Sequence, residues 1–224
     1  MKNLEIYIHI PFCVRKCEYC DFLSFPADDD AKLRYVKGLM AEMIFYGPLM
    51  KNYQVSSVYI GGGTPSSIDE QWIAALMEGV FDCFNVLPDA EISIECNPGT
   101  LSREKLLAYR DAGINRLSIG LQSANNDELK QLGRIHTFEQ FVTNYEVARN
   151  VGFKNINVDL MYGLPGQSAS QYMATVNKII RLHPDHISAY SLIVEKGTPF
   201  YEKYKFDMVR QEAGMRTEFL PNED

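Results

Sequence analysis

Residues 9–22 read His9-Ile10-Pro11-Phe12-Cys13-Val14-Arg15-Lys16-Cys17-Glu18-Tyr19-Cys20-Asp21-Phe22, with three cysteines in eight residues directly after an apolar run. Thiols at that density point to metal. A closed zinc site needs four ligands, usually two separated pairs of Cys or His, and here one triplet stands without a second pair. Thiolates bind iron–sulfur clusters equally well, and a [4Fe–4S] cube held by three cysteines keeps one iron free for a small molecule. Zinc, or three reduced structural thiols, are the competing readings of these residues taken alone.

The run that leads into the triplet, Leu4 to Ile10, is the first of six that read as strands. The others are Val55 to Ile60, Glu91 to Cys96, Arg116 to Leu121, Asn155 to Met161 and His186 to Ile193. Each is rich in Ile, Val, Leu or Tyr, as buried strands are. Helical patterns lie between them. Ala31 to Tyr46 puts Leu33, Val36, Leu39, Met40 and Met43 on one face, and Trp72 to Phe84 does the same with Trp72, Leu76, Val80 and Phe84. Ser102 precedes a third helix with Leu106 and Leu107 inward and Gly113 just past its end; Thr137 to Val151 and Ser170 to Leu182 complete the series. The alternation predicts an α/β fold, a parallel sheet with right-handed crossovers. Six units curl it into a partial TIM-like (β/α) barrel without closing it, and such folds carry their sites at the carboxyl ends of the strands.

Composition narrows the class of partner. The 46% apolar and 23% charged fractions are ordinary for a globular chain. A net charge of −7 argues against a nucleic-acid partner, which needs an excess of Lys and Arg. No run is long and apolar enough to span a bilayer, and Met1-Lys2-Asn3-Leu4-Glu5 does not open a signal peptide, so a cytoplasmic protein without a transmembrane segment is expected. Cys83 and Cys96, far from the triplet, are expected to be buried as small hydrophobes in a reducing compartment. Glu218 to Asp224 lack a helix cap or closing strand. The expectation is a truncated chain, with a barrel over 1–200 and the start of a C-terminal region over 201–224.

Unusual residues gather just after each strand. Gly61-Gly62-Gly63-Thr64-Pro65 is a tight turn or a loop that lets backbone approach a ligand. Glu95, framed by Ile92, Ile94 and Cys96, is either a solvated charge or a buried one that needs a partner. Gln122 both donates and accepts, which suits ribose hydroxyls or a carboxylate, and Arg134 offers a planar fork for a carboxylate. His136 stays unassigned. Asp159 is the single charge in an apolar strand, placed at the barrel mouth or at a helix N-cap.

The C-x3-C-x2-C loop, with Tyr19 before the third cysteine, resembles the signature of the radical S-adenosylmethionine (radical SAM) family. The resemblance implies a [4Fe–4S] cluster on Cys13, Cys17 and Cys20 whose open iron is chelated by the methionine end of SAM. An electron from the cluster then releases a 5′-deoxyadenosyl radical. It also carries SAM contact onto Gly62, Gly63 and Thr64 of the GGxTP-like loop, onto Glu95, and, by residue-wise match, onto Tyr7 and Ile193. With Asp159-Leu160-Met161-Tyr162-Gly163-Leu164-Pro165-Gly166-Gln167, the chain from Tyr7 to about Pro199 resembles the oxygen-independent coproporphyrinogen III oxidase-like branch. That branch holds a coproporphyrinogen dehydrogenase and the HemW-type heme chaperones. The dehydrogenase pattern has a further cysteine two residues after the third; this chain has Phe22 there, which looks like the chaperone side. The resemblance implies heme as cargo, or a porphyrinogen as substrate, with an electron donor and a heme-acceptor protein as partners. No catalytic residue is named by it.

Overall fold

A computed structural model describes residues 2–222. Six strands, β1 (Lys2–Ile10), β2 (Tyr53–Gly62), β3 (Val86–Cys96), β4 (Arg116–Gln122), β5 (Asn155–Tyr162) and β6 (His186–Ser191), pair in that order. Every neighbouring pair is parallel. Each crossover carries a helix, so the expected open (β/α) half-barrel is the fold observed. β6 ends two residues earlier than expected: after Leu192 N–H bonds the Tyr162 carbonyl, the chain leaves the sheet and Ile193 is exposed.

Helices α1 (Asp29–Tyr46), α2 (Glu70–Cys83), α3 (Arg103–Asp111), α5 (Phe138–Asn150) and α6 (Ala169–Ile180) follow the apolar periodicity. A side chain caps the first turn of each. Asp28, Asp69 and Ser102 accept from backbone N–H groups of α1, α2 and α3, while Thr137–Gln140 and Ser168–Gln171 form capping boxes on α5 and α6. Two helices have too few apolar repeats to be read from sequence: α4 (Asn126–Gln131) and α7 (Pro199–Glu212). α7 runs through residue 200, where a domain boundary was expected, and buries Phe200 and Tyr204 against Leu132, Met161 and Leu164.

The strands alternate sharply. One face sends Ile60, Ile94, Leu117, Ile119, Ile156 and Val158 into the layer of helices, where they meet Val36, Leu76, Leu106 and Phe141. Each fully buried aliphatic side chain there stabilises the fold by about 1.5–3 kcal/mol. The opposite face carries Tyr59, Glu95, Arg116, Ser118, Asn157, Asp159, Ser188 and Tyr190 around a cavity. The half-barrel has an apolar back and a polar hollow. As expected, Cys96 is buried; Cys83 is only half-buried, and all five cysteines are free thiols.

Candidate cofactor site

Between β1 and α1 the cysteine loop is strapped to itself and to the segment after α4 by main-chain bonds. Cys13 N–H donates to the Phe25 carbonyl (3.2 Å), Glu18 N–H to Leu132 (3.1 Å), and Cys20 N–H to Cys17 (3.2 Å). Arg15 Nη2 adds a 2.7 Å bond to the Gly133 carbonyl, and Phe200 N–H donates to Glu18 (3.0 Å). Clamped in this way, Cys13, Cys17 and Cys20 all line one cavity of about 470 Å³ at the carboxyl end of the sheet.

The loop after β2 lies against them. Gly62 has φ +117°, a backbone region that side chains rarely adopt. A Cβ on Gly63 would stand 2.8 Å from the Phe12 carbonyl oxygen and 3.1 Å from Cys13 Sγ, so only glycine lets this strand end touch the cysteine loop. Thr64 Oγ1 sits 3.4 Å from Cys13 Sγ.

Two carboxylates face the hollow. Glu95 Oε1 accepts from Tyr59 O–H (2.8 Å) and Oε2 from Gly62 N–H (3.0 Å); burial nevertheless holds its pKa above the usual carboxylate range. Asp159 is raised for the same reason, against bonds from Asn157 Nδ2 (2.7 Å) and Ser118 Oγ (3.2 Å). The helix-cap reading of Asp159 does not describe its surroundings. Burial and the Asp159 charge push the Tyr190 phenol up to about 12, and it donates to Gln122 Oε1 (2.7 Å). Arg134 Nη2 donates to the Gly120 carbonyl (2.6 Å), and Nη1 stands 3.6 Å from Cys17 Sγ.

Tyr19, Gly62, Gly63, Thr64, Glu95, Gln122, Arg134 and Asp159 therefore share the cavity with the three cysteines. Tyr7 and Ile193 do not line it. Tyr7 is 58% exposed, bonds His9 Nδ1 (2.9 Å) and stacks on Tyr59 at 6.2 Å; Ile193 is 65% exposed. Sequence reasoning missed Arg116 and Tyr190, whose signal was their period of two with Ser118 and Ser188, and Tyr59, which meets Glu95 from the neighbouring strand. Gln167, in the most specific string after the cysteines, turns back on its own loop. It accepts from Gly163 N–H (3.1 Å) and donates to Glu128 (3.0 Å).

The donor set fits a cluster with an organic partner. Three soft thiol donors, Cys13, Cys17 and Cys20, stand together at one mouth beside a glycine cradle that a Cβ would fill, while Cys96, which also lines the cavity, turns its Sγ toward the Ile94 carbonyl (3.8 Å). Among the described residues, Tyr109 Oη, Glu128 Oε1 and Arg134 Nε are the buried side-chain polar atoms without a partner, and Arg134 alone lines the cavity. Among the described residues no three His, Cys, Asp or Glu stand grouped around a single metal position, the three cysteines included.

The sequence profile of the Radical SAM superfamily matches residues 7–179, from the strand before the cysteines into α6. The chain belongs to that superfamily. Its radical SAM fold is similar to the solved structure titled "Coproporphyrinogen III oxidase (HemN) from Escherichia coli is a Radical SAM enzyme". The TM-score is 0.81 at 27% identity, covering 100% of this chain and 56% of that one. Among curated proteins, the heme chaperone HemW of Bacillus subtilis strain 168 is 40% identical over 196 residues, covering 87% of this chain and 52% of the relative. HemW of Escherichia coli K12 is 37% identical over 227 residues, covering 99% and 55%. The chain thus spans about half the length of the curated relatives it matches. No helix among the described residues is long and apolar enough to cross a membrane.

Proposed function

We propose that this chain is the cofactor-binding part of a cytoplasmic heme chaperone, which binds heme and transfers it to an acceptor protein. The observation that carries the reading is the convergence of Cys13, Cys17 and Cys20 with Glu95, Gln122, Arg134 and Asp159 on one cavity, in a chain 40% identical to a HemW. Cys13, Cys17 and Cys20 would hold a [4Fe–4S] cluster, with SAM bound beside it. When bound, that pair supplies one-electron chemistry at a carbon–sulfur bond, with an electron donor as partner.

The chain's own residues bind and orient. Tyr59 O–H and Gly62 N–H fix both oxygens of Glu95, so that its remaining lone pairs face the hollow and suit a methionine ammonium. Gly63 keeps the loop close to Cys13, and Thr64 offers it a hydroxyl. Arg134 places positive charge beside Cys17, with Nη1 3.6 Å from its Sγ. Gln122 and Asp159 offer polar atoms on the far wall, suited to ribose hydroxyls.

Anaerobically reconstituted full-length protein titrated with heme is expected to develop a Soret band that saturates at a simple ratio; no saturable band rejects the reading. The second reading, a coproporphyrinogen dehydrogenase, draws on the TM-score of 0.81 to HemN. Phe22, 67% exposed where that pattern places another cysteine, weighs for the chaperone. Conversion of coproporphyrinogen with release of 5′-deoxyadenosine would decide for the enzyme.

A further inference from the structure

Gln122 is strained, and something must hold it. It has φ +75°, and the other non-glycine residue with positive φ among those described is His183, in a distant turn. A left-handed conformation at a non-glycine residue costs about 1–3 kcal/mol. The strand register also slips here, between Gly120 and Gln122. Nothing in the local sequence favours this kink.

The carbonyls on either side of the slip are both held from the segment after α4. Arg134 Nη2 donates to Gly120, and His136 Nε2 stands 3.3 Å from the carbonyl oxygen of Leu121, the residue just before Gln122. A carbonyl can only accept, so the bond to Leu121 forms in the ring state that carries its proton on Nε2. The other nitrogen, Nδ1, lies 3.1 Å from Asn97 Oδ1, two residues past Glu95, an oxygen that also accepts from Gly99 N–H (3.1 Å). Asn97 N–H donates to Ser66 Oγ (2.9 Å), and the Ser66 carbonyl accepts from Lys105 Nζ (2.7 Å). The chain of bonds joins the ends of β2, β3 and β4. His136 sits at its centre, 4% exposed and outside the cavity lining, where burial and the Arg134 charge push its pKa down to about 3.

We propose that His136 is a positioning residue for the SAM side of the cavity, holding the Leu121–Gln122 peptide in the conformation that brings Gln122 to Tyr190 and the cavity wall. The proposal rests on the reading above that this cavity takes SAM. It makes His136→Ala a variant that keeps its cluster and binds SAM less well, because the His136 ring bonds Leu121 and Asn97 and none of the three cysteines. Residues behind a metal or cofactor site act on affinity by about 10–100-fold.

The test uses the full-length protein, reconstituted without oxygen, as wild type, His136→Ala and His136→Gln, whose amide N–H can reach the same carbonyl. Iron, sulfide and melting temperature are measured beside SAM affinity and the SAM-induced change in the spectrum of the reduced cluster. His136→Ala is expected to keep iron and sulfide at wild-type ratio and to lose SAM affinity by about tenfold or more. His136→Gln is expected to recover most of that loss. Wild-type affinity in His136→Ala, or no recovery in a folded His136→Gln, overturns the proposal. Nitrogen-resolved spectra of the metal-free wild type give a check independent of SAM. They are expected to show a slowly exchanging Nε2–H on a ring that does not titrate near pH 6.5. A freely titrating ring overturns the proposal even where SAM binding itself fails, and absent SAM binding in the wild type rejects the functional reading instead.

Discussion

The convex and concave faces of the sheet are made of the same six strands, residue by alternate residue, and they obey opposite rules. On the convex side Ile60, Ile94, Leu117 and Ile119 are wholly buried against helices. On the concave side Glu95, Asp159, Arg116 and Tyr190 share a hollow with three thiols. The first face supplies the free energy of folding; the second opposes it, since burial disfavours the ionised form of both carboxylates. A strand one residue out of register would exchange the two faces, so the apolar pattern that builds the core also aims the site.

The sharpest test separates the faces by cluster content. Cys17→Ala, after anaerobic reconstitution, is expected to lose nearly all bound iron and sulfide and the associated visible absorbance. Its melting temperature without metal should stay near wild type, because the mutated atom supports none of the convex core. Retained iron would break the assignment.

On the convex face, Ile94→Ala removes a fully buried side chain and is expected to cost about 2–5 kcal/mol in denaturant unfolding. On the concave face, Ser188→Ala deletes a hydroxyl that donates to Asn157 Oδ1 (3.0 Å) and is expected to cost about 1 kcal/mol. Equal losses at the two positions would sink the contrast.

The pH dependence of SAM binding follows from Glu95. Its ionised form receives the Tyr59 and Gly62 donors, while burial raises its pKa, so protonation begins at a higher pH than for an exposed glutamate. SAM affinity is therefore expected to weaken as pH falls through that raised value. In Glu95→Gln it should be weaker by about tenfold and flat over the same range. The same shift has the opposite sign in stability: relative to Glu95→Gln, the unliganded wild type should lose stability as pH rises through the ordinary carboxylate range into the raised one. Wild-type pH behaviour in Glu95→Gln would remove this carboxylate from the site.

The smallest effect is expected at Ile193. Exposed by 65% and outside the cavity, its replacement by Ala should move stability by no more than about 0.5 kcal/mol and leave SAM affinity unchanged in this chain. A large loss would place the segment after β6 in the site.

Much of the molecule was legible in the chain because its signals are local. Six apolar runs separated by amphipathic ones leave little choice but a parallel sheet, and Ser, Thr and Asp stand where helices start. α4 and α7 were not legible, since α7 is held by Phe200 and Tyr204 reaching across to Leu132 and Leu164, a distant segment. The string from Asp159 to Gln167 carried the family resemblance, and what its glutamine does is local: Gln167 closes its own turn.

By itself, the sequence determined the strand–helix alternation, the soft-metal character of Cys13, Cys17 and Cys20, and the glycines beside them, because periodicity and thiol spacing are properties of neighbouring residues. Only the tertiary structure decided that Glu95 is gripped by Tyr59, that Arg134 leans on Cys17, and that His136 faces Leu121 and Asn97 behind the cavity. Those contacts join residues 15 to 117 positions apart, and it is the curvature of the sheet that brings its strand ends to one place.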